Sequence, residues 1–434
     1  MISPQREKQS IAENIRILRE HHDMSQQELS DVIFSKDRVA RVENGEDVYT
    51  DRQVAMIIAY FKQEGLPLSD DECESFRMRM YHWRELIKAK NREAAKLIHA
   101  EIANIDKIKP YAFDLYIFCK ICEISFFVAV GKRNSAEDVL KILQDDIKNM
   151  TDENLYYYHH IKGYYHMTYN EYGDALMHLL EAHKILESNA LLSQKNKSAL
   201  YYNIASCYFV EGKPFKTIFY MQKVVQVYTE DKNTTSKILI NLGLAISYIR
   251  LNELEEAEKL IHESVIVSNC IKSDEHIGYS MYCYGHLYKK AENWTAAIDS
   301  FGKALKYLSE DSNNYVSSLY HQIYSYIVSK QYPKVTPLLQ AAKDKYSTDR
   351  TWSVYFEALD RLFTLRKKMT SKNEEACNYI LNDAIPRFIK NNDFFIALEH
   401  YAILEEHYEV IRSHMKSLQM TKAIRDIYKR VFCH

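Results

Sequence analysis

Six polar residues gather near the start of the chain: Gln26, Ser35, Lys36, Asp37, Arg38 and Arg41. They are of the types that read a nucleic-acid duplex. Lysine and arginine donate to guanine or phosphate, and a carboxylate accepts from the cytosine amine. A glutamine at a helix start bonds a backbone phosphate, which positions a protein without reading sequence. Side chains with this task must project from the N-terminal half of a helix lying in the groove.

The surrounding residues supply such a helix. Ser35 is placed to cap one that runs to Asn44, where Gly45 can take the left-handed conformation that ends it. Val39 and Val42 then face inward, and Lys36, Asp37, Arg38 and Arg41 face outward. Ile11, Ile15 and Leu18 recur at helical spacing in an earlier helix ending near His22 and Asp23. Ser25 followed by Glu28 forms a capping box that starts the helix between, with Leu29, Val32 and Ile33 as its buried face. Val54, Ile57, Ile58 and Phe61 give a fourth helix closing a small core. The charge runs against this reading: residues 1–64 hold nine Lys or Arg and twelve Asp or Glu, where a DNA-binding domain usually carries a basic footprint.

The rest of the chain repeats. Small residues followed four positions later by bulky ones recur as Ala136 with Leu140, Ala175 with Leu179, Thr217 with Met221, Ala257 with Ile261, Ala297 with Phe301, and Val335 with Leu339. The intervals are 39, 42, 40, 40 and 38 residues. Twelve residues before each stands another packing position: Ile124, Gly163, Ala205, Ala245, Gly285 and Ile323. Small residues let antiparallel helices approach while bulky ones fill the gap to the next pair, and the pattern resembles the tetratricopeptide repeat. Less regular pairs are expected before Pro110 and after Tyr346, with Ala397 in the last. Such pairs stack into a right-handed superhelix whose first helices line a concave channel. Outward positions on those helices are Tyr164, Tyr202, Asn203, Ser206, Arg250, Tyr282, His286, Tyr320 and Tyr324. An asparagine amide both donates to and accepts from a peptide unit, and Arg250 can grip a ligand carboxylate with two bonds.

Composition agrees with an all-α chain: 434 residues hold only 10 Gly and 7 Pro, and 47% are hydrophobic. Of eight Cys, Cys119 and Cys122 match C-x-x-C but lie in an apolar helical stretch with no second ligand pair, which points to a buried face. His159, His160 and His166 form the densest histidine group and lack partner carboxylates at convincing spacing. No phosphate loop, zinc-helix motif or nucleophile elbow is present. The sequence therefore argues against catalysis and asks for no cofactor or resident metal. No apolar run is long enough for a membrane span, so a reduced, cytoplasmic protein is expected.

Ser25-Gln26-Gln27-Glu28-Leu29-Ser30 and Ala40-Arg41-Val42-Glu43-Asn44-Gly45 resemble the two halves of the phage-repressor-type helix-turn-helix. The turn between them is a residue short and lacks glycine. Together with repeats nearer 40 than 34 residues, this resembles the peptide-pheromone receptors of the RRNPP group, especially the PlcR and Rgg branches. The resemblance implies a helix-turn-helix domain over 1–64, a linker over 65–75 and a peptide-binding repeat domain over 76–434. It implies asparagines that clamp a peptide, for which Asn203 and Asn241 are the best matches. The partners it implies are a palindromic DNA operator, a short signalling peptide and a second copy of the chain. NprR- and Rap-type members of the group imply an alternative, a protein-binding regulator of a response-regulator phosphorelay with DNA binding secondary or absent. A scaffold that binds protein alone is a further alternative.

Overall fold

The computed structural model describes residues 4–33, 35, 37–62, 70–102, 112–189, 194–228, 234–367 and 373–432. Among these residues the fold is all-α, without a strand. The chain forms two compact units, residues 1–161 and 162–434.

The first unit opens with α1 (Pro4–His21), α2 (Gln26–Val32), α3 (Arg38–Glu43) and α4 (Asp51–Lys62). Ile15, Leu18, Leu29, Ile33, Val39, Val42, Tyr49, Ile57 and Phe61 form their common core. Ile11 faces solvent, and Ala12 packs on the core in its place. The capping box closes as expected: Ser25 Oγ accepts from the Glu28 amide at 3.2 Å, and the Ser25 amide donates to Glu28 at 2.7 Å. Gly45 has φ +80°, and the Gly45 and Glu46 amides donate to the Val42 and Arg41 carbonyls. That two-bond cap ends α3. The start of α3 differs from expectation. Ser35 is not its cap, since the residue before Arg38 is Asp37, at φ +58° with no side-chain capping bond. The Ser35 amide instead continues the α2 turn by donating to the Ser30 carbonyl.

Helical pairs follow as α5 (Asp70–Lys88) with α6 (Arg92–Glu101), and α7 (Phe113–Ala129) with α8 (Arg133–Gln144). Helix α5 takes up residues 70–75, so the linker-like stretch ends six residues earlier than its composition suggests. Trp83 on α5 is fully buried and donates to the Ala95 carbonyl of α6 at 2.9 Å, which makes this the irregular pair expected before Pro110. Cys119 and Cys122 are buried in α7, and burial pushes the Cys122 thiol up to about 12.

Helix α9 (Asp152–Thr168) runs across the boundary between the units. The second unit continues with α10 (Tyr172–Ser188), α11 (Gln194–Val210), α12 (Pro214–Tyr228), α13 (Thr234–Arg250) and α14 (Leu254–Cys270). Next come α15 (Asp274–Lys290), α16 (Trp294–Tyr307), α17 (Asn313–Val328), α18 (Tyr332–Lys345) and α19 (Trp352–Lys367). All twelve small and bulky positions of the sequence repeat are buried on the second helices of their pairs. Their logic is literal at two glycines. A Cβ on Gly163 would stand 2.6 Å from Leu179, and one on Gly285 would stand 2.5 Å from the Phe301 ring. Each pair turns through one left-handed residue: Gly131, Asn170, Gly212, Asn252, Glu292 and Lys330. These turns keep the intervals of the sequence repeat.

The chain ends with α20 (Glu374–Tyr379), a π-turn over Ile380–Ala384, α21 (Ile385–Lys390), α22 (Phe394–Val410) and α23 (His414–Phe432). Ala397 is buried on α22, in the last pair as expected. Helix α22 does not only extend the stack. Phe394 packs where a Cβ on Gly212 would fall, and the Phe395 ring lies 4.7 Å from the Arg250 guanidinium. Lys213 donates to the Arg430 carbonyl, and Phe215 meets Phe432 edge-on. The last pair thus folds back onto α11, α12 and α13.

Candidate functional site

Two groups of residues have the chemistry to recognise something. The first surrounds α3. Arg41 is exposed, Arg38 is half-buried, and both lean toward Asp47: Arg38 approaches it at 3.5 Å and Arg41 at 3.2 Å. Arg38 also donates to the Val48 carbonyl at 3.0 Å. Asp37 is exposed, and Lys36 lies outside the described residues. Gln26 sits at the start of α2 and donates to Glu43 at 2.7 Å. Glu43 is itself held by two bonds from Arg19, at 2.7 and 2.8 Å. This fork ties α1 to α3, and its bidentate geometry makes it a strong bond. Burial works to raise the Glu43 carboxyl, but the bonds from Arg19 and Gln26 outweigh it and hold the group below its ordinary value. Sequence reasoning did not assign Glu43 or Asp47 a part, although both flank the α3 cap.

The second group lies in the second unit. Tyr282 and His286 are half-buried one turn apart on α15, their rings 4.5 Å apart, and His286 meets His321 at 4.4 Å. The Tyr282 hydroxyl pairs with Ser317 at 3.1 Å. Burial drives the Tyr282 phenol up to about 12 and keeps His286 and His321 neutral. Tyr320 and Tyr324 are buried on α17. Arg250 is enclosed rather than open to a ligand. Its guanidinium lies 4.2 Å from the Phe209 ring and opposite Phe395, and it donates to the Phe209 carbonyl at 2.9 Å. Burial lowers it to about 10.

The remaining predicted contacts divide. Tyr164 is exposed, while Tyr202 and Asn203 are half-buried on α11. Ser206 spends its hydroxyl on the Tyr202 carbonyl of its own helix at 2.8 Å. Asn241 is buried and reaches Glu263 of the neighbouring helix at 3.4 Å. Arg250, Tyr282, His286, Tyr320 and Tyr324 are therefore drawn into one recess, with Asn241 turned to a helix–helix bond.

Lys289 and Glu399 were missed by sequence reasoning and complete the recess. Lys289 Nζ stands 2.6 Å from Glu399 and 3.1 Å from His321 Nδ1, across 110 residues of sequence in the first case. Asp393, beside it on the α21–α22 turn, accepts from the Tyr355 hydroxyl and acts electrostatically on Arg250. His286 Nε2, the Tyr320 hydroxyl and the second Glu399 oxygen are buried without a partner.

The histidine group separates. His160 is buried against the Tyr156 hydroxyl at 3.3 Å, whereas His166 bonds Glu171 at 2.8 Å and, with Asp174, brings three possible metal-ligand atoms within 4.8 Å of one another. His166 and Glu171 are half-buried and Asp174 is exposed, and the bond between the first two spans an ordinary repeat turn.

No family model matches the chain. The transcriptional activator NprA of Geobacillus stearothermophilus is 22% identical over 388 residues, covering 86% of this chain and 93% of its own. The regulatory protein RapD of Bacillus subtilis is 24% identical over 236 residues, 54% of this chain and 66% of its own. The chain is thus similar to proteins of the RRNPP group. Among solved structures, a Rap protein complexed with competence and sporulation factor superimposes with a TM-score of 0.69 at 15% identity, over 82% of this chain and 99% of that one. The apo quorum sensor NprR of B. thuringiensis gives 0.65 at 16%, again over 82% and 99%. These RRNPP structures share the tetratricopeptide-like helical fold. Among the described residues, no helix is long and apolar enough to cross a membrane.

Proposed function

We propose that this chain is a cytoplasmic transcription regulator that binds DNA through residues 1–64 and is controlled by a short peptide in the recess of its repeats. The observation that carries the reading is the recess itself. Tyrosine, histidine and cation side chains from α13, α15 and α17 converge there with buried polar atoms still unpartnered. A related NprR has been solved in complex with its cognate peptide NprX. Arg38 and Arg41 project from the recognition helix, Gln26 bonds a flanking phosphate, and two copies of the chain span a palindrome. The peptide acts by preferring one arrangement of the array, which shifts the population of DNA-competent dimers.

Selection of random duplex DNA by the purified full-length protein tests this. An enriched palindrome is the expected result, and its half-site spacing gives the distance between the heads. A second reading is favoured by the head's electrostatics. Arg38 and Arg41 are already engaged by Asp47, and residues 1–64 are net acidic. In that reading the chain binds a response regulator, as a Rap-like protein. No DNA enrichment, with or without peptide-containing culture extract, selects it.

A further inference from the structure

The recess is closed from within. Helix α22 passes the C-terminal ends of α11, α13 and α15, with Phe394 at Gly212, Phe395 on Arg250 and Glu399 on Lys289. Two carboxylates of this returning segment, Asp393 and Glu399, act on the two largely enclosed cations of the recess, Arg250 and Lys289.

We propose that α22 is an internal latch on the recess, and that a peptide releases it by bringing its own carboxylate to Lys289 in place of Glu399. The proposal rests on the peptide reading for its ligand, though not for the latch.

The argument is one of charge. Lys289 and Arg250 belong to the array and stay where α15 and α13 hold them. If α22 left without a replacement, Lys289 would lose Glu399 and keep only the His321 ring, and Arg250 would lose Asp393 and the Phe395 ring while keeping the Phe209 carbonyl; severing a largely enclosed ion pair is unfavourable. A neutral or cationic ligand leaves that loss uncompensated. A ligand carboxylate offsets it, because it restores the pairing that Glu399 supplies. The donors around it suit a carboxylate: Lys289 Nζ and the Tyr320 hydroxyl, the latter lacking any acceptor. A single carboxylate of the latch makes the contact, with one Glu399 oxygen bonded and the other buried without a partner. A better-seated carboxylate would satisfy both oxygens.

Two measurements on the full-length chain test this. In the first, hydrogen exchange is followed without any ligand. Glu399→Gln is expected to speed exchange in residues 394–432 at least tenfold, and the charge swap Lys289→Glu with Glu399→Lys is expected to restore protection. Unchanged exchange in Glu399→Gln overturns the latch. In the second, a random heptapeptide library lacking Asp and Glu is offered with either a free or an amidated C-terminus, and retained peptides are counted by mass spectrometry. Preferential retention of free acids, raised tenfold or more in Glu399→Gln, supports the exchange. Equal retention of acids and amides overturns it. Retention of neither library by native or variant protein overturns the peptide reading and the exchange together. In that case the hydrogen-exchange result still decides the latch.

Discussion

The cations of the head and those of the recess are both bound internally, but at different depths. Around α3, Arg41 keeps about half of its side chain in water and Arg38 a quarter, with Asp47 their shared partner. In the recess the Lys289 side chain is only 10% exposed and Glu399 22%. Exposed pairs contribute about 0–1 kcal/mol and exchange readily for another anion. Breaking an enclosed pair costs about 3–5 kcal/mol when one partner is left behind. A phosphate can therefore take Arg38 and Arg41 from Asp47 at small cost, whereas whatever enters the recess must bring charge with it.

The largest effect is expected at the deepest pair. Lys289→Met strands Glu399 and should lower unfolding free energy by about 3 kcal/mol, the range for a severed buried pair. The double variant with Glu399→Met should recover most of that. Urea unfolding checks both, and a double variant as unstable as the single would place the Lys289 contribution in its packing instead.

The two regions should also differ in acid. Buried His400 is held down at about 4 and His160 at about 3, chiefly by burial, while an unfolded histidine titrates near 6.5. The unfolded chain takes up these protons first, so repeat stability is intact above about pH 6.5 and declines below it. For His400 the decline levels off near pH 4, and His160 continues it toward pH 3. Each accounts for about 3 kcal/mol or more over its window. Glu43 behaves oppositely. Its carboxyl lies below the unfolded value, so its contribution is full above about pH 4.3 and disappears only as pH falls below that. Hydrogen exchange at pH 5 should find the repeats loosened and α1–α4 unchanged. Glu43→Gln should remove the Glu43 part of the head's acid response and cost it about 2 kcal/mol at pH 7.

The smallest effect belongs to the rim. Asp47→Asn frees Arg38 and Arg41 and should tighten binding to duplex DNA about threefold at low salt, with the gain vanishing at high salt. Fluorescence anisotropy against the selected palindrome reads it. No gain at low salt would mean that these arginines do not touch phosphate.

What was legible in the sequence was local. The Ser25 box, the Gly45 cap and five repeat intervals each depend on residues within a turn or a helix pair of one another, and side-chain type alone dictates them. The start of α3 departs from expectation because the Ser35 amide stays with the α2 turn by donating to Ser30, and Asp37, in the left-handed conformation, precedes α3 without a side-chain cap. The recess was half visible. Tyr282, His286, Tyr320 and Tyr324 were found by counting along first helices. Arg250 was found too, but its enclosure by Phe395 was not, because that contact spans 145 residues of sequence. Lys289 and Glu399 carry no local signal at all. Their pairing exists only because the last helices return, and a periodic pattern states how neighbours stack without stating where the stack ends up.

The π-turn at Ile380–Ala384 deserves a last consequence. Such a turn holds one residue more than an α-helix would use for the same advance. Each residue of an α-helix turns the chain by about 100°. Deletion of a single residue within the turn would restore regular winding and leave α21 facing nearly as it does, so Asp393 and Glu399 would keep their places at Arg250 and Lys289. The turn thus takes up a one-residue difference in length that, within a regular helix, would turn the returning segment by about 100°.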